Sequence, residues 1–519
     1  MDAAKLNPIS KKRSIRAAFA GQELPLMAGV LFLLTIGGIF VWWEFGDSRQ
    51  NSNNMLFLLP WLGMTTAVIF APLGYLFYRG QFNLFHPLIY AAWSYFVPAF
   101  VIGGIILTFG WAQQPYLYFI EDPATDIPWT FIYISLGFAG LTAGFLLPFG
   151  KYFGVWLNRK LPVWDWKPGT LLFPGVILLL LGAMNTAFAF GAGVLGYQRI
   201  DEYGTFDGLI YLLSLLLMEG TFLLWFAIFR SSRLNINHYI IIGLLIFTTL
   251  LRAAFAGNRG SLLMSLIFII AAFVLAGRRI GFKQGVLGAV AMVVVILVGM
   301  IYGTTFRSLK QDEARIDFGK YIEFVPQTFD AISRQDIGAV LTQGFSSLAE
   351  RFENVSSVAV VVSNYEKLKP YEESYGLDNN IWKDTITFII PRPLWPDKPL
   401  ASEPRKYGEL YFNYADNSFT ITPMGDLLRN FGPLGVPLGM ILLGLILRVF
   451  YAALIENQTV TAWRATIYFM LLFTVSYESF YGSIIPYLVR VGVISIVGIL
   501  VVWFLIPQIE NGRLAKFQV

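Results

Sequence analysis

Twelve apolar stretches recur along this 519-residue chain, and they leave it few ways to fold. About 20 helical residues cross the hydrocarbon core of a bilayer. Each stretch of that order is therefore expected to span a membrane, and the spacing predicts spans near 24–44, 55–78, 84–111, 128–149, 169–191, 207–229, 239–256, 260–277, 284–302, 433–455, 462–480 and 484–506. A water-facing fold of this size would need more charge: only 14% of the residues are charged, against about a quarter in soluble domains. The 46 Phe, 25 Tyr and 14 Trp gather near the ends of the apolar runs, where an aromatic belt belongs. The expectation is an all-α polytopic membrane protein. Its third span is long enough to tilt or to break at Pro98, and its seventh and eighth turn at Gly257-Asn258-Arg259-Gly260.

Charge segregation gives the spans a direction. With the N-terminus in the cytoplasm, the inner segments hold nineteen Lys and Arg, and the short outer segments with the outer halves of spans hold five. That bias follows the positive-inside rule. The basic N-terminus ahead of the first span resembles a signal sequence, but the apolar run is too long and lacks a small-residue cleavage site, so a retained anchor is expected. The layout is then 1–302 with transmembrane helices 1–9, 303–432 as one large extracytoplasmic loop, and 433–519 with helices 10–12 and a cytoplasmic tail.

A loop of 130 residues is usually functional or separately structured. This one carries 14 Lys and Arg against 18 Asp and Glu. Residues 337–365 look helical and amphipathic, with Val340, Leu341, Phe345, Leu348, Phe352 and Val355 on one side, a pattern that suits packing against other helices. The segment IIPRPLWPDKP (389–399) has four prolines, which are expected to stiffen it into an extended strut displaying Arg392 and Lys398. DNSFTITPMGDLLRNFGPLG (416–435) leads back to the membrane with Asp426 and Arg429, and its polar residues serve equally to cap a helix. Arg252 lies inside span seven and Arg259 in the turn after it; a charge at such depth tends to mark function or a structural partner. Arg binds phosphate with two parallel hydrogen bonds where Lys offers one point charge. Arg252, Arg259, Arg392 and Arg429 together would suit a diphosphate at headgroup level, though each alone could be a snorkelling side chain. Glu478 and Arg490 are expected to pair, and Glu219 to face a polar neighbour such as Asn185.

Several chemistries are excluded or disfavoured. There is no Cys, so thiolate sites and disulfides are out, and only His86 and His238 are present, both on the cytoplasmic side. No Walker motif, glycine-rich phosphate loop or metal-ligand spacing occurs. No cofactor, metal or nucleic acid is expected. Outside the cytoplasm ATP is absent, so the driving force would have to come with the substrate.

GNRG at the opening of a span, IPRPLWPDKP in the large loop and TPMGDLLRNFGPLG before span ten resemble bacterial oligosaccharide repeat unit polymerases, the Wzy-type polymerases of O-antigen and exopolysaccharide. The resemblance covers roughly 250–450 and the span layout. It implies a GT-C-like architecture of about 12 transmembrane helices in the bacterial plasma membrane, both termini cytoplasmic. It further implies a metal-independent glycosyltransferase that extends a surface polysaccharide from undecaprenyl-diphosphate-linked repeat units, working beside a flippase and a chain-length regulator. Carried onto this sequence, Arg259, Arg392, Lys398 and Arg429 would bind substrate; Arg252 and Arg405 are further substrate-binding candidates, and Asp426, Glu409 or Asp416 would serve as base. The rival readings are an O-antigen ligase, disfavoured by the lack of a loop His; a transporter or flippase, disfavoured by few cavity charges; and a non-catalytic scaffold.

Overall fold

The computed structural model describes residues 55–110, 115–195, 204–257, 261–278, 282–310, 318–336, 338, 349–399, 402–414, 419, 421–456 and 460–510. Among them every regular element is helical. The described residues open on a 3-10 turn, Leu56–Leu58, that leads into α1 (Leu59–Tyr78), followed by α2 (Pro87–Phe109) and α3 (Pro123–Leu146). Next come α4 (Pro148–Asn158), α5 (Pro168–Gly191), α6 (Asp207–Arg230), α7 (Ile236–Ala256), α8 (Ser261–Leu275) and α9 (Phe282–Lys310). The loop contributes α10 (Phe318–Arg334), α11 (Val355–Glu372), α12 (Asn380–Thr387), α13 (Pro404–Phe412) and α14 (Thr422–Phe431). The chain returns through α15 (Gly435–Leu454), α16 (Ala462–Thr474) and α17 (Tyr481–Glu510).

Nine helices among the described residues are long and apolar enough to cross a membrane: α1 with its entry turn, α2, α3, α5, α6, α7, Val290–Lys310 of α9, α15, and Tyr481–Pro507 of α17. The protein is an all-α, multi-pass membrane protein. The expected first span, 24–44, lies outside the described residues. Two other expected spans are shorter than the sequence pattern suggests. α8 has 15 residues, and α16 only 13. At 1.5 Å per residue α16 reaches about 20 Å, short of the roughly 30 Å core. Beyond Thr474 the chain leaves the helix through Val475–Phe480 and re-enters it at Tyr481. Ser476, Glu478 and Ser479 fall in this break, while Val475, Tyr477 and Phe480 are buried. Irregular backbone within a membrane protein is tolerated where protein surrounds it.

The expected break at Pro98 takes another form: α2 is π-helical over Ala92–Ile102, with the Gly103 amide bonded to the Pro98 carbonyl. Such stretches are rare, because the wider turn must be held open by packing. Here the loop supplies it, since a Cβ on Gly103 would meet the Phe352 carbonyl at 2.3 Å. In the loop the expected continuous helix over 337–365 is interrupted at Glu353-Asn354, and α11 then runs on to Glu372. Val340, Leu341, Phe345 and Leu348 of the expected stripe lie outside the described residues.

Two features bind spans and loop into one core. Val358, Val361, Tyr407, Leu427 and Leu428 of the loop share a buried cluster with Phe96, Phe131 and Leu443 of the spans. α3 and α15 pack side by side through small residues: a Cβ at Gly140 would approach the Pro437 carbonyl to 2.7 Å, and one at Gly444 would reach the Leu141 carbonyl at 2.2 Å. Without a hydrophobic force between helices in lipid, such close backbone approach supplies the attraction. Gly140→Ala should therefore cost about 1–3 kcal/mol by overpacking. A lowered midpoint in thermal unfolding of the detergent-purified protein would register it.

Candidate functional site

The loop closes over the ends of the spans through a knot of buried polar groups. Arg429, on α14, is fully buried with Asp426 one turn before it. Its guanidinium donates to Glu372 Oε1 (3.0 Å), the Leu377 carbonyl (2.9 Å), Asn380 Oδ1 (2.6 Å) and Asp426 Oδ1 (2.9 Å). Tyr411 donates to the same Glu372 oxygen at 2.9 Å. Asp426 in turn accepts from Asn430 and from the Gly482 amide, which the break before α17 delivers at 3.1 Å. Burial works against the Arg429 charge, but Asp426 and Glu372 overcome it and hold the guanidinium protonated above its usual range. A buried charge needs partners of this kind.

Beside the knot lies a second arrangement with more freedom. Asp384, on α12, is almost buried, and Ser402 donates a short hydrogen bond to its Oδ2. Burial, with Asp426 nearby, pushes the Asp384 carboxyl up to about 6, against the pull of the Ser402 hydrogen bond. A Cβ at Gly482 would come within 3.0 Å of the Ile381 Cα, so glycine lets α17 start this close to α12. Ser402 and the adjacent Glu403 hold positive φ angles of 58° and 20°, conformations costly for residues with a Cβ.

Two half-buried cations, Arg490 and Lys398, interact with this carboxylate, and half-buried Arg392 interacts with Lys398. Arg490, two turns into α17, interacts electrostatically with Asp384 and with Tyr487. Burial, then the charges of Arg490 and Arg392, pull the Lys398 ammonium below its usual range. Tyr487 extends the series into the bundle, because its hydroxyl meets that of Tyr211 at 2.5 Å and Tyr211 interacts electrostatically with Arg252. Arg252 itself borders a cavity of about 20 Å³ with Thr221, Thr248 and Ser265, room for one water. A series of electrostatic interactions thus relates Arg252 through the two tyrosines to Arg490, Lys398 and Arg392. Next to its loop end Trp382, Ile386, Ile389, Ile390 and Leu394 are exposed.

The sequence-derived candidates therefore separate. Arg392, Lys398 and Arg252 belong to one electrostatic series. Arg429 does not: it is fully buried and its terminal nitrogens are taken up in the knot, with only Nε left without a partner. Asp426, expected as a base, is fully buried and occupied by Arg429, Asn430 and Gly482. Glu409 and Arg405 sit on α13, where Glu409 is exposed. Arg259 and Asp416 lie outside the described residues. The proline segment is no extended strut: it folds back on itself, with the Trp395 amide on the Arg392 carbonyl and Lys398 Nζ donating to the Ile390 carbonyl at 2.9 Å. Asn185 donates to the Ile210 carbonyl at 2.7 Å, and both Glu219 oxygens are buried without a hydrogen-bond partner. Asp384, Ser402, Glu372 and Asn380 carried no motif. Arg490 does carry a signal, its charge inside a span, and the fold adds an interaction with Asp384 of the loop that the sequence does not show. Among the described residues no group of three His, Asp or Glu is placed to hold a metal ion.

A family model described as a domain of unknown function, DUF8712, matches residues 182–501. The chain belongs to the DUF8712 family. Every residue of the buried knot and of the cationic series falls within the DUF8712 match. No curated protein and no solved structure matches the chain.

Two loop carboxyls tie the stability of this DUF8712 protein to pH. Glu353 Oε1 accepts the Ser356 amide at 2.8 Å, yet burial outweighs that bond and raises the carboxyl from 4.5 to about 7. Asp384 rises from 3.8 to about 6. Both native values lie above the unfolded ones, so the native state binds more protons. Their stabilisation is complete below the unfolded values and is lost as pH rises through about 6 and 7. The expected loss is on the order of 3 kcal/mol per group. The unfolding midpoint should fall between pH 5 and pH 8, and Glu353→Gln should flatten that slope.

Proposed function

We propose that this protein is a membrane glycosyltransferase that joins oligosaccharide repeat units carried on undecaprenyl diphosphate into a surface polysaccharide. The observation that carries the reading is that half-buried Arg490 and Lys398 both interact with the buried Asp384, with Arg392 acting on Lys398, next to exposed apolar side chains. Cations in that setting suit a diphosphate, and the apolar surface suits the lipid that bears it. A carboxylate with a value near 6 is mostly ionised at neutral pH and can accept a proton.

In this reaction the acceptor hydroxyl attacks the anomeric carbon of the donor's first sugar. The bond from that carbon to the diphosphate oxygen breaks, and lipid diphosphate leaves with the electron pair. Asp384 takes the hydroxyl proton. Arg490, Lys398 and Arg392 stabilise the charge that grows on the leaving diphosphate, a contribution that is commonly the largest in such catalysis. The same reading places the loop outside the bacterial plasma membrane, both termini in the cytoplasm, and twelve spans in a GT-C-like arrangement, with α8 and the broken α16 segment among the twelve. A flippase would supply the substrate and a chain-length regulator would govern the product.

The test is direct. Purified protein incubated with lipid-linked repeat units should yield a ladder of polymers and free lipid diphosphate, with no nucleotide added. Transfer of the glycan to lipid A core alone would replace the reading by that of a ligase. Unchanged single units would remove it.

A further inference from the structure

At the ends of the helices away from the loop, the fold holds a cleft of about 650 Å³ between the last turns of α1, α3 and α15 and the start of α4. Its volume falls in the range of small-molecule sites. Arg79, Lys151 and Arg448 line it, and the one carboxylate among its lining residues is Glu456. The charged groups are thus three donors-only cations against one acid.

The arrangement is built more deliberately than a basic fringe at a membrane surface. Arg448 is nearly buried, its guanidinium lying 5.0 Å over the Phe145 ring while one terminal nitrogen donates to both Glu456 oxygens at 3.0 Å. Arg79 is laid over the Tyr75 ring at 5.3 Å. His86 is buried in the cleft wall between the Phe145 and Tyr451 rings, each 4.8 Å away, and its Nδ1 has no hydrogen-bond partner. A buried polar atom left without a partner is uncommon in a native fold and calls for one. Close packing fixes the walls: a Cβ on Gly150 of α4 would meet the Arg448 side chain at 2.9 Å.

From this geometry we infer that the cleft binds a phosphate- or diphosphate-bearing ligand on the face opposite the loop. Glu456 already shows what Arg448 is oriented to hold, a pair of anionic oxygens. Arg79 and Lys151, which have no carboxylate partner among the described residues, supply the surplus positive charge that a more highly charged oxyanion would neutralise. The phosphate reaches the cleft either as a lipid headgroup or as a soluble phosphoester. This inference does not depend on the reaction proposed for the loop side.

Full-length protein in nanodiscs of zwitterionic phosphatidylcholine, titrated with inorganic diphosphate in a calorimeter, tests it. The Arg392→Ala/Arg490→Ala background removes binding at the loop side. In that background Arg79→Gln/Lys151→Gln should weaken diphosphate binding at least about tenfold, the effect of losing one charge-assisted contact. Glu456→Gln, which releases Arg448, should strengthen it severalfold, an effect that misfolding cannot mimic. In nanodiscs containing phosphatidylglycerol, loss of diphosphate binding together with retention of the anionic lipid through purification would identify a headgroup as the source. Unimpeded binding there would identify a soluble phosphoester. The proposal fails if diphosphate binds none of these proteins and no anionic lipid is retained, or if the double variant binds as tightly as its parent.

Discussion

Arg429→Ala is expected to unfasten the loop rather than merely to silence the protein. Removing the guanidinium leaves Glu372, itself raised by burial, and Asp426 facing each other in a dry interior without the cation that joins them. Breaking a buried pair from one side costs about 3–5 kcal/mol, and whole proteins are stable by only about 5–15 kcal/mol. Purified Arg429→Ala should melt at a clearly lower temperature, and α11–α14 should become sensitive to protease at neutral pH. Arg429→Lys should fail almost as badly, because one ammonium cannot reach Glu372, Leu377, Asn380 and Asp426 together. Adding Glu372→Gln and Asp426→Asn to Arg429→Ala should recover part of the loss, since no unpaired charge then remains buried. A substrate-binding arginine behaves otherwise, and unaltered stability with abolished activity would return Arg429 to that role.

What the sequence disclosed and what it hid divide along a physical line. Spans are legible because lipid demands about 20 apolar residues in a row, and α1, α3, α5 and α6 fall where the apolar runs predict. The α16 break was hidden: Ser476, Glu478 and Ser479 are too few to interrupt an apolar run, and their position is set by the partners that bury Tyr477 and Phe480. The charged residues of the loop were visible as charges, but their partners were not. Arg429 and Arg392 looked alike in sequence, and only the docking of α11 against α14 brings Glu372 to one of them. Asp384 was invisible for the same reason. Its chemistry comes from Ser402, Gly482 and Arg490, which lie 18, 98 and 106 positions away and meet it only in the fold.

Asp384→Asn should separate chemistry from architecture at the proposed site. Asparagine keeps the shape and can still accept the Ser402 hydroxyl, while the burial that raised the carboxyl no longer acts on a charge. Stability at neutral pH should therefore hold or improve. Loss of a general base should lower polymer formation by about 10²–10⁴-fold, and lipid-linked single repeat units should accumulate in cells. For the unaltered protein, the base is active only when deprotonated, so the rate should climb as pH passes about 6; in Asp384→Asn the residual rate should lose that limb. Arg490→Ala offers an independent arm. It should cost about 10²–10³-fold if the guanidinium steadies the departing diphosphate. Because Arg490 also interacts with Asp384, its loss should move the rising limb to higher pH. A purely structural role for Asp384 predicts the reverse pattern, a lower melting temperature with ordinary pH dependence. Polymer of normal length and abundance from a stable Asp384→Asn protein would remove Asp384 from the reaction altogether.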